Sequence, residues 1–178
     1  PVAGEPNQFA TENGLKEACT ITATFKKQEY TVALSITDGS GTPDQSPVKH
    51  GDPYNLTLTP NDGFELKDEN IQGIPANSVC NSGKLTYIST NKTYRYSIAS
   101  LTEACEISAV FTKRRLKVLT EITVNGEGDA ASAGTIAVKN GVDLTSVEYD
   151  SVVEFAVTAT VGYRINAIKG CKGTEFTG

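Results

Sequence analysis

Leu15-Lys-Glu-Ala-Cys-Thr-Ile-Thr-Ala-Thr-Phe25 returns as Leu101-Thr-Glu-Ala-Cys-Glu-Ile-Ser-Ala-Val-Phe111, with Leu, Glu, Ala, Cys, Ile, Ala and Phe in place across a shift of 86 residues. Identity at so many chemically different positions is not a product of composition. A fixed period of this kind is the mark of a repeated structural unit. The match runs on through Lys27 onto Lys113 and Val32 onto Val118, after which the later copy carries a longer loop. Beyond the loop the shift becomes 99. There His50-Gly-Asp-Pro-Tyr-Asn-Leu-Thr-Leu-Thr-Pro-Asn-Asp-Gly-Phe64 aligns with Tyr149-Asp-Ser-Val-Val-Glu-Phe-Ala-Val-Thr-Ala-Thr-Val-Gly-Tyr163 through its apolar alternation and its Gly-aromatic close. The period divides the chain into 1–25, the C-terminal remnant of one unit; 26–112, a complete unit; and 113–178, a truncated further unit. On this reading the chain is a piece of a longer array, cut out of phase with its own boundaries.

Each copy is written in period two, the pattern of a strand with one face on a core and the other in water. Cys19, Ile21, Ala23 and Phe25 fall on one face, and Thr20, Thr22 and Thr24 on the other. Further strands are expected at 30–36, 54–58, 84–88, 93–99 and 105–111 in the complete unit. In the last unit they are expected at 116–124, 134–138, 152–160 and 163–168. Asp38-Gly-Ser-Gly-Thr-Pro43 reads as a hairpin turn, and Pro60-Asn-Asp-Gly63 as a tight turn that returns Phe64 to the core. The one helical suggestion is a single turn near 100–104, where Ser100 and Glu103 have capping-box spacing. The expected fold class is all-β, or β-rich with a single short helical turn, built as tandem small units.

Four cysteines allow three full pairings. The repeat narrows them, because Cys80 lies 25 residues before Cys105 in the same copy and is its natural partner. Cys19 and Cys171 are then mismatched halves, expected to be unpaired or to bridge between molecules. Closing a loop of this length stabilises a fold by about 3 kcal/mol on chain-entropy grounds, a large share for a unit of this size. A disulfide places the protein outside the cytosol, extracellular or at the cell surface. The alternatives are four reduced thiols, which would have no need of repeat register, or zinc, for which short ligand spacings are missing and only one His is present.

The opening and closing motifs carry a resemblance. Leu101-Thr-Glu-Ala-Cys-Glu-Ile-Ser-Ala-Val-Phe111 and Ile168-Lys-Gly-Cys-Lys-Gly-Thr-Glu-Phe-Thr-Gly178, with the Gly63-Phe64 and Gly162-Tyr163 steps, are similar to the divergent internalin B-repeat family of bacterial extracellular proteins. Ile71-Gln-Gly73 and Ala167-Ile-Lys-Gly170 depart from it, standing where that family places a Trp or apolar residue followed by Gly. The resemblance implies compact, disulfide-stapled β-rich units, β-grasp-like or sandwich-like, serving as a spacer or adhesive element of a secreted or surface protein, with no catalytic activity.

Composition excludes other classes. Among 178 residues, 16 basic and 21 acidic side chains leave a net charge of −5, and the longest basic cluster is Lys113-Arg114-Arg115. Nucleic-acid binding, which depends on clustered cations displacing counterions, is not expected. No apolar run approaches the roughly 20 residues of a bilayer-crossing helix, so membrane insertion is not expected. His50 is the lone imidazole around which a nucleophilic triad would have to form, and Asp62, Glu65, Asp68 and Glu69 are the carboxylates from which a glycosidase pair would come; both sets read better as turn and surface residues. No cofactor is expected. Calcium is the one candidate ion, through the loop oxygens of Asp38-Gly-Ser-Gly-Thr-Pro-Asp44 or Asn125-Gly-Glu-Gly-Asp129, neither with EF-hand spacing. Tyr87, Tyr94 and Tyr96 are the candidate binding surface. The leading expectation is a non-catalytic spacer, presentation or adhesion module whose partners are neighbouring units of its own chain. The alternatives are a module binding glycan, protein or calcium, and an accessory segment of a secreted enzyme.

Overall fold

A computed structural model describes residues 17–171 and 176–177. Leu15, and positions 172–175 and 178 of the closing motif, lie outside the described residues. In chain order the strands are β1 (Glu29–Tyr30), β2 (Val32–Thr37), β3 (Gly39–Pro43), β4 (Val48–Lys49), β5 (Tyr54–Pro60), β6 (Phe64–Glu65), β7 (Ile71–Ile74), β8 (Lys84–Ile88), β9 (Thr93–Ile98), β10 (Cys105–Val110), β11 (Thr112–Lys113) and β12 (Arg115–Leu116). After them come the helical turn α1 (Ala130–Ala133), β13 (Gly134–Val138), β14 (Val147–Glu148), β15 (Phe155–Ala159), β16 (Ala167–Ile168) and β17 (Phe176–Thr177). The protein is β-rich, and its other helical pieces are 3-10 turns at Asp68–Asn70 and Val79–Ser82.

Two sheets share one core in the residues 29–113. In the first, β10 is central, parallel to β2 and antiparallel to β7. The second is the antiparallel sheet β3-β5-β9-β8. Period two decides what meets between them. Tyr54, Leu56 and Leu58 of β5 are buried with Tyr96 and Ile98 of β9, and they pack in one cluster with Ile107, Ala109 and Phe111 of the β10 region. Each such aliphatic or aromatic side chain contributes about 1.5–3 kcal/mol on leaving water. Val48, Leu66, Cys80 and Leu101 complete the cluster.

The disulfide joins Cys80, in the second 3-10 turn, to Cys105 at the start of β10, with the two Cα atoms 6.1 Å apart. Tyr96 supports it from within, its hydroxyl donating to the Cys80 carbonyl at 2.8 Å.

The segment 39–43 is not the turn its Gly and Pro content suggests. It is strand β3, paired from Gly39↔Pro60 to Pro43↔Leu56, and the turn shrinks to Asp38 with φ 59°. The glycines serve close packing: a Cβ on Gly39 would collide with the Phe111 ring, and one on Gly41 with the Ile36 side chain. Glycine in a strand often marks such an approach.

The residues 114–160 show pairings that match those of the first segment. Glu29↔Lys49 and Tyr30↔Val48 have counterparts in Arg115↔Glu148 and Leu116↔Val147. The ladder from Gly39↔Pro60 to Pro43↔Leu56 has its counterpart from Gly134↔Ala159 to Val138↔Phe155. Turn bonds correspond too: His50 N–H to Gln28 carbonyl and Tyr149 N–H to Arg114 carbonyl, both 2.8 Å; Phe64 N–H to Asn61 carbonyl and Tyr163 N–H to Thr160 carbonyl, 3.1 and 3.0 Å.

Four expected elements differ. Residues 17–28 form no strand and are exposed throughout, although 19–25 share their sequence with β10. β10 exists because β2 and β7 satisfy both its edges, and a strand without partners leaves its backbone to water. Residues 117–124 also form no strand, although they align with β2, and of 163–168 only Ala167–Ile168 is paired. The 100–104 stretch is not helical, because its capping side chains act elsewhere. The Ser100 hydroxyl donates to the Gly51 carbonyl at 3.2 Å, and the Glu103 carboxylate accepts from the Val79 N–H at 2.7 Å.

Candidate functional site

β8 and β9 place Tyr87 directly opposite Tyr94, on the face of the sheet that bears the core. Because β8 is an edge strand, Tyr87 overhangs the rim and remains 53% exposed, with its ring centroid 5.0 Å from that of Tyr94. Tyr94 is fixed from two further sides. Its ring meets Phe111 edge-on at 6.2 Å, and its hydroxyl accepts from the Leu66 N–H at 3.1 Å. Such tilted aromatic contacts are the favoured geometries for ring quadrupoles.

These two tyrosines line a groove of about 500 Å³. Its other walls are the 59–65 turn, Asn91 and Lys92 of the β8–β9 turn, and Arg114. Lys92 holds φ 57°, a left-handed conformation that side chains rarely adopt. Aromatic surface, two carboxylates (Asp62 and Glu65) and two cations (Lys92 and Arg114) therefore face one concavity. The arrangement can stack a flat apolar face while offering both donors and acceptors at its edge. The Arg114 Nε is buried and has no hydrogen-bond partner.

Tyr96, grouped with Tyr87 and Tyr94 in the sequence reading, is not part of this surface. It is 3% exposed and belongs to the core, because β9 turns every second residue inward and Tyr96 lies opposite Leu56 in the middle of the sheet. Burial raises the pKa of its hydroxyl.

The groove ends at a joint between the two matching segments. β11 pairs with β6, the Arg114 N–H donates to the Gly63 carbonyl at 2.8 Å, and β12 begins at the next residue. The Tyr149 hydroxyl donates to the Asp62 carboxylate at 2.8 Å, and the Arg114 guanidinium lies 5.3 Å from the Tyr149 ring centroid. The Asp62 hydrogen bond, acting first, raises the Tyr149 pKa. Gly63, at φ 81°, makes room for this: any Cβ there would collide with the Tyr149 ring. Glu148 adds ion pairs to Lys113 at 3.3 Å and Arg115 at 3.6 Å.

The other sequence candidates are dispersed. His50 is exposed, its Nδ1 3.3 Å from the Tyr30 hydroxyl. Asp62 faces Tyr149, whereas Asp68 and Glu69 sit exposed in a 3-10 turn. Of the two calcium candidates, the 38–44 stretch is mostly strand, with Asp44 ion-paired to Arg95 at 2.7 Å, and Asp129 caps α1 by accepting from the Ala131 N–H. Among the described residues, no three His, Cys, Asp or Glu side chains converge as a metal site. Cys19 and Cys171 are exposed free thiols. The 60–63 turn, Asp62, Glu65 and the basic cluster at 113–115 were visible in the sequence, but not their convergence with Tyr87 and Tyr94, because the contacts of Arg114 with the 59–65 wall and of Asp62 with Tyr149 are long-range.

No protein-family model matches the chain, and neither does any curated protein or solved structure. Among the described residues, no helix is long and apolar enough to cross a membrane. The Cys80–Cys105 disulfide fits an oxidising, non-cytoplasmic compartment.

Proposed function

We propose that this chain is a non-catalytic segment of tandem β-repeats, similar to the divergent internalin B-repeats, that spaces or presents other parts of a secreted or cell-surface bacterial protein. The observation carrying this reading is the recurrence of one pairing register at 29–60 and 115–159. A unit reused in sequence needs a stiff connection if it is to hold something at a distance. The joint at Gly63, Arg114 and Tyr149 leaves no slack between β11 and β12. Surface ion pairs contribute little singly, about 0–1 kcal/mol, so the backbone pairing and the packed Tyr149 ring matter more than Glu148. The test is 15N relaxation of the intact chain. A spacer gives both segments one rotational correlation time; two shorter, independent times would reject the reading.

A second reading, glycan binding, is favoured by the Tyr87–Tyr94 pair above a groove that also carries the unpartnered Arg114 Nε. Sugars present an apolar face for stacking and hydroxyls for polar edges. Titration with soluble β-1,4-linked glucose and N-acetylglucosamine oligosaccharides should shift the Tyr87 and Arg114 signals, and Tyr87→Ala should abolish the shift. Unchanged spectra at millimolar oligosaccharide would reject this second reading.

A further inference from the structure

We infer that the groove between the Tyr87–Tyr94 pair and the joint takes an acidic sugar, a uronate ring stacked on Tyr87 with its carboxylate held by Arg114 and Lys92. The inference rests on the glycan reading above and deepens it by naming the charge class of the ligand. The tyrosines come from β8 and β9, and Arg114 stands between β11 and β12, so the groove lies where the first segment meets the second. Its volume, about 500 Å³, falls among those of clefts that hold small ligands. Tyr87 offers it a half-exposed ring, set by the contact with Tyr94.

The charges decide which sugar fits. Two cations and two carboxylates line the groove, yet among the described residues no ion pair includes Lys92, Arg114, Asp62 or Glu65. Tyr149 explains part of this. Its hydroxyl engages the Asp62 carboxylate at 2.8 Å, and its ring carries the Arg114 guanidinium at 5.3 Å from the centroid. The Arg114 side chain is thus anchored by stacking, its Nε sealed without an acceptor and its charge unanswered. An arginine held in place without a counter-ion is a pre-organised receptor for a carboxylate, because its planar fork matches the two oxygens. Lys92 brings a second cation from the β8–β9 turn, and Glu65 remains as an acceptor for sugar hydroxyls. A neutral sugar would use the ring and Glu65 and leave both cations unanswered. A small inorganic anion would use the cations and leave the rings idle. The whole chain carries a net charge of −5, so a local match rather than overall attraction has to draw an acidic glycan here.

The experiment titrates the full 15N-labelled chain, at about 50 mM salt, with two tetrasaccharides of matched size. One alternates β-linked glucuronate and N-acetylglucosamine, and the other is β-1,4-linked N-acetylglucosamine alone. The acidic one should bind about tenfold more tightly, move the Tyr87, Lys92 and Arg114 signals, and lose its advantage at about 0.5 M salt. Arg114→Gln and Lys92→Gln should each bring the acidic ligand's affinity down towards that of the neutral one, while Tyr87→Ala should weaken both. Lys92 sits in an exposed turn, so Lys92→Gln carries the test should Arg114→Gln loosen the joint. Lys84, on the face of β8 opposite to Tyr87, is the control for charge alone, and Lys84→Gln should leave both affinities unchanged. Equal affinity for the two tetrasaccharides, or an acidic preference that survives both Gln variants or falls equally with Lys84→Gln, would overturn the inference while leaving the glycan reading in place. Unchanged spectra with both ligands would reject the glycan reading as well.

Discussion

Replacing both Cys80 and Cys105 with Ala removes the covalent tie between the second 3-10 turn and the start of β10, and its cost can be worked from the structure. The bond closes a loop with a sequence separation of 25. The chain-entropy relation then gives about 3.5 kcal/mol of denatured-state restriction at 25 °C. Cys80 is fully buried, so deleting its sulfur also leaves a small void in the cluster formed with Tyr96 and Ile107. That void adds about 0.5–1 kcal/mol. The total, about 4 kcal/mol, corresponds to a fall in melting temperature of at least about 15 °C for a cooperative unit of this size. The assay is thermal unfolding followed by far-ultraviolet circular dichroism, with urea midpoints as a second probe. Cys19→Ser and Cys171→Ser serve as controls and should leave the midpoint unchanged, since both thiols are exposed and unpaired. A double Ala variant that melts within about 4 °C of the parent, equivalent to less than about 1 kcal/mol, would refute the reasoning that the staple is a principal source of stability.

Tyr54 is buried with its hydroxyl unpaired, and burial, with a smaller contribution from Asp44, pushes its pKa up to about 12. A raised tyrosine pKa gives stability that is whole below pH 10 and is lost as pH rises through about 12, so urea midpoints should fall across that window. Tyr54→Phe should remove that alkaline loss and be neutral or stabilising near pH 7, because it deletes an unsatisfied buried group. Gly63→Ala should cost at least about 1 kcal/mol, from its positive φ together with the collision against Tyr149, and should detach the second segment's tumbling from the first in 15N relaxation. Tyr96→Phe, by contrast, leaves the Cys80 carbonyl without its donor and should lower stability by about 1 kcal/mol in the same urea assay.

The strands that proved easiest to read are those whose alternating residues face a core within their own unit: β5, β9 and β10 follow from Leu56, Leu58, Tyr96, Ile98, Ile107 and Ala109. The disulfide was legible because the repeat offset left Cys80 and Cys105 as a matched pair. Harder cases share one cause, that a strand is a property of two segments. Residues 19–25 and 118–123 have strand sequences, but nothing in a local pattern says whether a partner strand lies alongside. Gly39 and Gly41 look like turn residues until Phe111 and Ile36 are seen to occupy the space of their missing side chains. The groove shows the same division. Tyr94 and Tyr96 were visible as alternating residues of one strand face, yet only the edge position of β8 leaves Tyr87 exposed while Tyr96, two residues from Tyr94, is sealed inside. Arg114 and Tyr149 lie far apart in sequence, and their contact has no local signal at all.

The claim on which the rest depends is that one β-unit is used twice with the same register. Cross-strand Hα–Hα nuclear Overhauser effects in the intact chain measure this directly, hairpin by hairpin. The account predicts contacts that place Gly41 opposite Leu58 in the first hairpin and Ile136 opposite Val157 in the second. A second hairpin slipped by one residue, which would turn Ile136 and Val157 to the other face, would contradict it.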